Sequence, residues 1–319
     1  MRSLNEEHRQ CGDQPGPADG HDPGESIDHA DSTRALVHGI CATTPDRRHI
    51  YRYSGSGTYW WQILRGATIP YEYTLYGGLY GLVAGQSGGN LWLYDGDRPG
   101  DPLLKWIRIY DTLSVYRPVP KLTDVAMTHS ALYVNFTDGV YRFTEQTSWM
   151  WQKVGLPAGR IYAGGYGLVA TDPNTGALFI YQGSPGYWTQ IGGAGAEFAV
   201  TDDSIYGLTP NKGAVYRYDR YPGTSWTWVG GPASRLYGGD WGLVATDPDG
   251  NLWRYTYIPY EHPGNWQLIG GPGAEFAVAD RTVFGLTPDK GAVYRYDGYG
   301  TSWTYVGGAA AQIATAGNV

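Results

Sequence analysis

Residues 196–231 divide into AEFAVTD (196–202), SIYGLTP (204–210), GAVYRYD (213–219) and SWTWVGG (225–231), with Gly, Pro, Asn and Asp at the breaks. Each segment is alternately or continuously apolar over five to seven residues, the length and pattern of a short β-strand. The break Pro210-Asn211-Lys212-Gly213 supplies turn residues. Four strands joined this tightly predict an antiparallel meander.

The following unit repeats the plan with SRLYGGD, WGLVATDP, NLWRYTY and NWQLIGG. The last returns to the first wording with AEFAVADR, TVFGLTPDK, GAVYRYDG and SWTYVGG, so two sub-types alternate. A pattern of Trp, two residues and an aliphatic recurs as WQIL at Trp61, WIRI at Trp106, WQKV at Trp151, WTQI at Trp188, WTWV at Trp226, WQLI at Trp266 and WTYV at Trp303. The spacings are 45, 45, 37, 38, 40 and 37 residues, and a period of about 40 is that of propeller blades. The expected fold is all-β: a seven-bladed β-propeller of four-stranded antiparallel blades.

Both chain ends support closure of that ring. LVHGICATTP, from Leu36, matches the second strand of a later unit (WGLVATDP), so the first unit lacks its innermost strand. After the seventh WTYVGG, the remaining AAAQIATAGNV matches the start of a new unit. Ile313–Val319 is therefore expected to pair with Leu36–Thr43, the C-terminal strand completing the first blade and leaving no open sheet edge.

Composition agrees. Gly is 48 of 319 residues, Tyr 28, Trp 13 and Met 3, with 17% charged residues, a balance poor in helix formers and rich in turn and strand formers. Helical bundles, coiled coils and ordinary βαβ enzymes are excluded on that ground, and 42% hydrophobic residues exclude disorder throughout. Of the net charge of −7, residues 1–34 carry a net of −5 from eight acids and three bases. No basic stripe remains for phosphates, so nucleic acid is not an expected partner. No run of 18 apolar residues and no apolar leader stretch appears, which reads as a chain without a membrane span, cytoplasmic or released without a readable signal peptide.

Residues 1–33, polar and with Pro15, Pro17 and Pro23, read as a disordered acidic arm, leaving residues 34–319 for the propeller. His8, Cys11, His21 and His29 match no standard zinc spacing. Cys11 and Cys41 make no disulfide framework. No metal or cofactor is expected.

Features shared by every unit are explained by what every unit needs. Each carries the fourth-strand Trp, and all but the third, which has Tyr133-Val134, carry an aromatic or His before Gly on the second strand, as in His38-Gly39, Tyr206-Gly207 and Trp241-Gly242. Rings in all copies point to packing between blades. On the third strand an Arg stands between two aromatics in five units: Arg52, Arg142, Arg217, Arg254 and Arg295. Period-two alternation sets each Arg on the opposite face from its flanking rings. It then either pairs with acids such as Asp219 and Asp297 or points into a groove between blades, where a planar donor fork beside aromatic faces suits a polyhydroxylated ligand. Both readings stand at this point.

The run Ile205-Tyr206-Gly207-Leu208-Thr209, then Ala214-Val215-Tyr216-Arg217-Tyr218, then Trp226 with Val229-Gly230-Gly231 resembles a tectonin repeat, and is similar to tachylectin-type and bacterial fucose-binding propeller lectins. The resemblance covers about residues 36–319 and implies monosaccharide sites between adjacent blades. The matching positions are Tyr216, Arg217, Trp226 and Trp228 in the fifth unit, Trp241, Trp253, Arg254 and Trp266 in the sixth, and Tyr294, Arg295, Trp303 and Tyr305 in the seventh. Units two and three depart most, with Arg98–Leu104 and Thr112–Lys121.

An enzyme at the central channel is the competing class, together with a protein-interaction scaffold. The turn Asp297-Gly298-Tyr299-Gly300-Thr301-Ser302-Trp303 resembles the sialidase Asp-box with its Gly and Trp one residue late. No nucleophile elbow or paired metal-ligating His is present, and Asp247-Pro248-Asp249-Gly250-Asn251 reads as a hairpin turn rather than a calcium loop. Only His129, His262 and Glu145 break the repeat as a catalytic group would. The expectation is a multivalent, non-catalytic lectin with glycan partners.

Overall fold

The computed structural model describes residues 39–64, 71–95, 105–111, 120–144, 151–219, 225–258, 264–279 and 281–315. The predicted arm, Leu36–His38 and 316–319 lie outside these. Seven four-stranded antiparallel sheets form among the described residues. Blade 1 comprises β1 to β3 (Ile40–Thr43, Ile50–Tyr53, Trp60–Leu64), and blade 2 β4 to β7 (Tyr73–Gly78, Gly81–Gln86, Leu91–Tyr94, Trp106–Tyr110). Blade 3 is β8 to β11 (Leu122–Met127, Leu132–Phe136, Gly139–Phe143, Trp151–Gly155), and blade 4 β12 to β15 (Ile161–Gly164, Gly167–Thr171, Leu178–Tyr181, Trp188–Gly192). Blade 5 is β16 to β19 (Glu197–Val200, Ile205–Leu208, Val215–Asp219, Ser225–Gly230), and blade 6 β20 to β23 (Arg235–Gly239, Gly242–Thr246, Leu252–Thr256, Asn265–Gly270). Blade 7 is β24 to β27 (Glu275–Ala279, Thr282–Leu286, Val293–Tyr296, Trp303–Gly307). β28 (Gln312–Thr315) pairs with β1, Ile40 opposite Thr315 and Thr43 opposite Gln312, and completes blade 1. The inner strands neighbour one another in the order β28, β4, β8, β12, β16, β20, β24 and back to β28. This is a seven-bladed β-propeller. No helix among the described residues is long and apolar enough to cross a membrane.

The hydrophobic core is a set of layers between blades. Seven clusters of buried side chains each join two neighbours; Val215, Val229 and Ala199 of blade 5, for example, pack on Leu236, Leu243 and Tyr255 of blade 6. The recurrent Trp holds each layer. The indole N–H of Trp60, Trp106, Trp151, Trp188, Trp226, Trp266 and Trp303 donates to a fourth-strand carbonyl of the preceding blade, from Trp60 to Val306 through Trp303 to Ile269, at 2.6–2.8 Å. Its ring rests on the last third-strand aromatic of its own blade, as in Tyr218–Trp226 at 5.4 Å between centroids. In blade 1 the clasp belongs to Trp60, not Trp61: Tyr53 pairs with Trp60 just as Tyr218 pairs with Trp226, and Trp61 is exposed. Two adjacent tryptophans satisfied the same spacing one residue apart, and only the ladder register separates them. The Gly that follows the aliphatic has the same cause: a Cβ added to Gly270 would lie 2.9 Å from Trp303 Nε1.

Four neighbouring pairs of inner strands are also stapled by a side chain. Asp124 Oδ2 accepts the Ile161 N–H at 3.1 Å, Glu197 Oε2 the Leu236 N–H at 2.7 Å, Glu275 Oε2 the Ile313 N–H at 2.9 Å and Gln312 Oε1 the Leu75 N–H at 2.9 Å. Burial pushes the Asp124 and Glu275 carboxyls above the ordinary range despite those bonds. An acid whose pKa is raised by folding binds its proton more readily when folded, so its ionisation subtracts stability as pH rises past its ordinary pKa. Glu275→Gln keeps the acceptor, as Gln312 does naturally, and removes the charge. It should raise the Tm at about pH 8, with the gain vanishing below about pH 4; a lower Tm at the alkaline end would mean that the charge itself holds β28.

Candidate functional site

The twelve positions implied by the lectin resemblance fall on two faces of each blade. Alternation along the third strand holds: Val215 and Arg217 face blade 6, whereas Tyr218 packs toward blade 4 and Tyr216 lines the groove there. Tyr216 and Trp226 line the groove between blades 4 and 5 with Phe198 and Gly207, about 230 Å³. Tyr294 and Trp303 line its counterpart between blades 6 and 7 with Phe276 and Gly285, about 200 Å³. Trp228, Trp253 and Trp266 meet in a larger groove between blades 5 and 6, about 500 Å³. The sequence sub-types thus become alternating grooves, because that larger groove repeats between blades 3 and 4 at about 250 Å³.

The arginines do not join their own flanking rings in these grooves. Arg217 Nε and Nη2 donate to Asp219 Oδ1 at 3.0 and 2.6 Å, and its guanidinium lies 3.8 Å from the Tyr257 ring centroid in blade 6. Both halves of the sequence alternative are therefore met at Arg217, an acid partner and a position between blades. Arg254 lies 3.8 Å from the Trp241 ring centroid, with its Nε buried and without a hydrogen-bond partner among the described residues. Burial lowers its pKa. Trp241 in turn approaches Tyr296 of blade 7 at 5.8 Å. Arg295 stands opposite Phe284 and Thr304 in the ladders of blade 7, and Tyr305 sets its edge toward Tyr294 at 5.7 Å.

One feature escapes the repeat reading. Two residues after the clasp Trp, on the outermost strand, blades 1 to 4 carry Gln62, Arg108, Lys153 and Gln190, and blades 5 to 7 carry Trp228, Leu268 and Tyr305. These three are 47%, 39% and 47% exposed. The signal was present in the sequence, hidden by the one-residue slip at Trp61, which put Ile63 where Gln62 belongs.

The remaining candidates among the described residues resolve as surface chemistry. His129 Nε2 lies 3.2 Å from Asp202 Oδ1, both well exposed, while His262 and Glu145 lie outside the described residues. Asp247 folds its own turn: Oδ1 accepts the N–H of Asp249 and Asn251 at 2.9 and 2.8 Å, and Oδ2 accepts Asn251 Nδ2 and Trp253 Nε1 at 2.9 Å each. Asp297 accepts from Ser302 and Thr304 hydroxyls at 2.7 Å.

No protein-family model matches the sequence, and no curated protein matches it. Solved structures do. The chain is similar to Prp20p from Saccharomyces cerevisiae, at 11% identity over 84% of this chain and 85% of that one, with a TM-score of 0.57. It is similar to a protein of unknown function from Desulfotomaculum acetoxidans, at 10% identity over 87% and 98%, TM-score 0.55. The propeller domain of Cps50 (Swd1) from Myceliophteria thermophila matches at 12% identity over 74% and 86%, TM-score 0.50. Likeness at this identity establishes the propeller fold alone.

Proposed function

We propose that the chain is a non-catalytic interaction propeller that docks a partner protein on the outer strands of blades 5, 6 and 7. The observation that carries this reading is the row Trp228, Leu268 and Tyr305, set where blades 1 to 4 carry Gln, Arg or Lys. Edge strands are protected from unwanted pairing by polar and charged side chains, and at this position blades 1 to 4 follow that rule, blade 1 exposing Trp61 one residue earlier. Three consecutive blades give it up, and Trp and Tyr are residue types that concentrate binding energy at protein interfaces. Covering the three side chains contributes roughly 1.5–3 kcal/mol each. Prp20p, which shares the fold, is described as binding Gsp1p and histones, an association of this class.

Leu268→Gln combined with Tyr305→Lys restores residues found on the other blades and should leave the Tm unchanged. Cross-linked partners recovered with wild type should fall about tenfold with the variant, the effect of losing about 1.4 kcal/mol, and should resist competing sugars. Equal recovery by both proteins would end this reading.

A second reading, the sugar-binding one, is favoured by one pair. Arg254 over Trp241 joins an unpartnered N–H to an aromatic face between blades 6 and 7, the combination that recognises hydroxyls and the C–H face of a monosaccharide. Glycans would then be partners at that cleft, and a glycan array would show binding lost in Arg254→Leu.

A further inference from the structure

The groove between blades 5 and 6 differs from its counterpart between blades 3 and 4 in aromatic content, charge and size. Trp253 stands where blade 4 has Phe179, Trp228 where blade 3 has Lys153, and Asp249 where the matching turn has Asn174. Its volume is about 500 Å³ against 250 Å³, inside the 300–1,000 Å³ span of small-molecule sites where the other grooves fall below it.

Its polar groups are mostly committed. The Trp253 N–H is given to Asp247 and the Trp266 N–H to the Val229 carbonyl, so the two indoles offer only ring surface. Both oxygens of Asp247 are engaged within its turn. Burial would raise the Asp247 pKa, yet those hydrogen bonds outweigh it and hold the carboxyl below the usual range, hence ionised at neutral pH. Among the described residues no Lys, Arg or His lines the groove. An anion is repelled there. A sugar finds few donors for its hydroxyls, and a primary ammonium finds Asp247 already saturated. A quaternary ammonium requires negative charge and ring faces and no hydrogen bonds at all.

We propose that this groove binds a small molecule carrying a quaternary ammonium group. The site shares Trp228 with the docking row and uses neither Leu268 nor Tyr305.

The test is calorimetry with choline and with its neutral isostere 3,3-dimethylbutan-1-ol. Choline should bind about tenfold more tightly or better, the difference being the charge. Asp249→Asn, an exposed turn position, should weaken choline severalfold while the Tm holds, and Trp253→Phe, the residue blade 4 carries, should weaken it severalfold with some loss of Tm from its missing bond to Asp247. Leu268→Gln/Tyr305→Lys should leave choline affinity as it was, which separates this site from the part of the docking row outside Trp228. The proposal is overturned if neither compound binds, if both bind equally, or if a trimethyllysine peptide binds where choline does not.

Discussion

Deleting residues 312–319 should unfold the propeller or leave it open, whereas deleting residues 1–30 should shift the melting temperature little. β28 touches three blades. It supplies the fourth strand of blade 1 through its pairing with β1, it donates the Ile313 N–H to Glu275 of blade 7, and Gln312 brackets Leu75 of blade 2 with bonds at 2.9 and 2.8 Å. Ile313 and Ala314 are buried in the layers on both sides of the blade. Loss of Ile313 alone removes roughly 2–5 kcal/mol of core contact, and each stranded backbone group adds about 1 kcal/mol or more, against a total margin of about 5–15 kcal/mol. The N-terminal arm has almost no apolar residues with which to contribute comparably. Thermal melts of the two truncations compare them directly; an equal or larger loss from the N-terminal deletion would refute ring closure by the C-terminus.

The second large effect belongs to the clasp tryptophans. Trp266→Ala empties a half-buried site against Tyr255 and orphans the Val229 carbonyl, so a loss of about 3–5 kcal/mol is expected. Trp266→Phe keeps most of the packing and loses the hydrogen bond, for about 1–2 kcal/mol. The diagnostic comparison is across the ring. Trp188→Phe, in a blade to which no sugar site was assigned, should cost as much as Trp226→Phe, Trp266→Phe or Trp303→Phe, because all four indoles make the same bond at 2.6–2.8 Å. Denaturant midpoints measure this. Stability unmoved in the last three, with loss only in Trp188→Phe, would show that those rings are held for a ligand.

Much of this was legible in the residues. Periodic Trp gave the blade count, alternation along Tyr216-Arg217-Tyr218 gave the sidedness, and the unmatched strands at the two ends gave the closure, because each depends on local pattern alone. The site was legible only in part. Spacing could not reveal that Trp228 of blade 5 meets Trp253 and Trp266 of blade 6, while Trp226 of the same strand lines the groove toward blade 4. Grooves between blades are built from two units, and a reading made unit by unit assigns both halves to one. The row Trp228, Leu268 and Tyr305 was missed for another reason: a repeat search rewards what the copies share, and the row lies where they differ.

The architecture rests on β1 lying beside β28, and the chain provides its own probe. Cys41 is fully buried opposite Ala314, and burial pushes its thiol up to about 12, so it should resist alkylation in the folded protein. Directly opposed residues of antiparallel strands have Cα atoms about 4.5–5.5 Å apart, within reach of a disulfide. In a Cys11→Ser/Ala314→Cys variant, mild oxidation followed by peptide mass spectrometry should yield a peptide pair linked between Cys41 and the introduced cysteine from folded protein, and none from protein oxidised in denaturant. Absence of that linked pair, with Cys41 alkylated as fast in buffer as in denaturant, would contradict the closed ring.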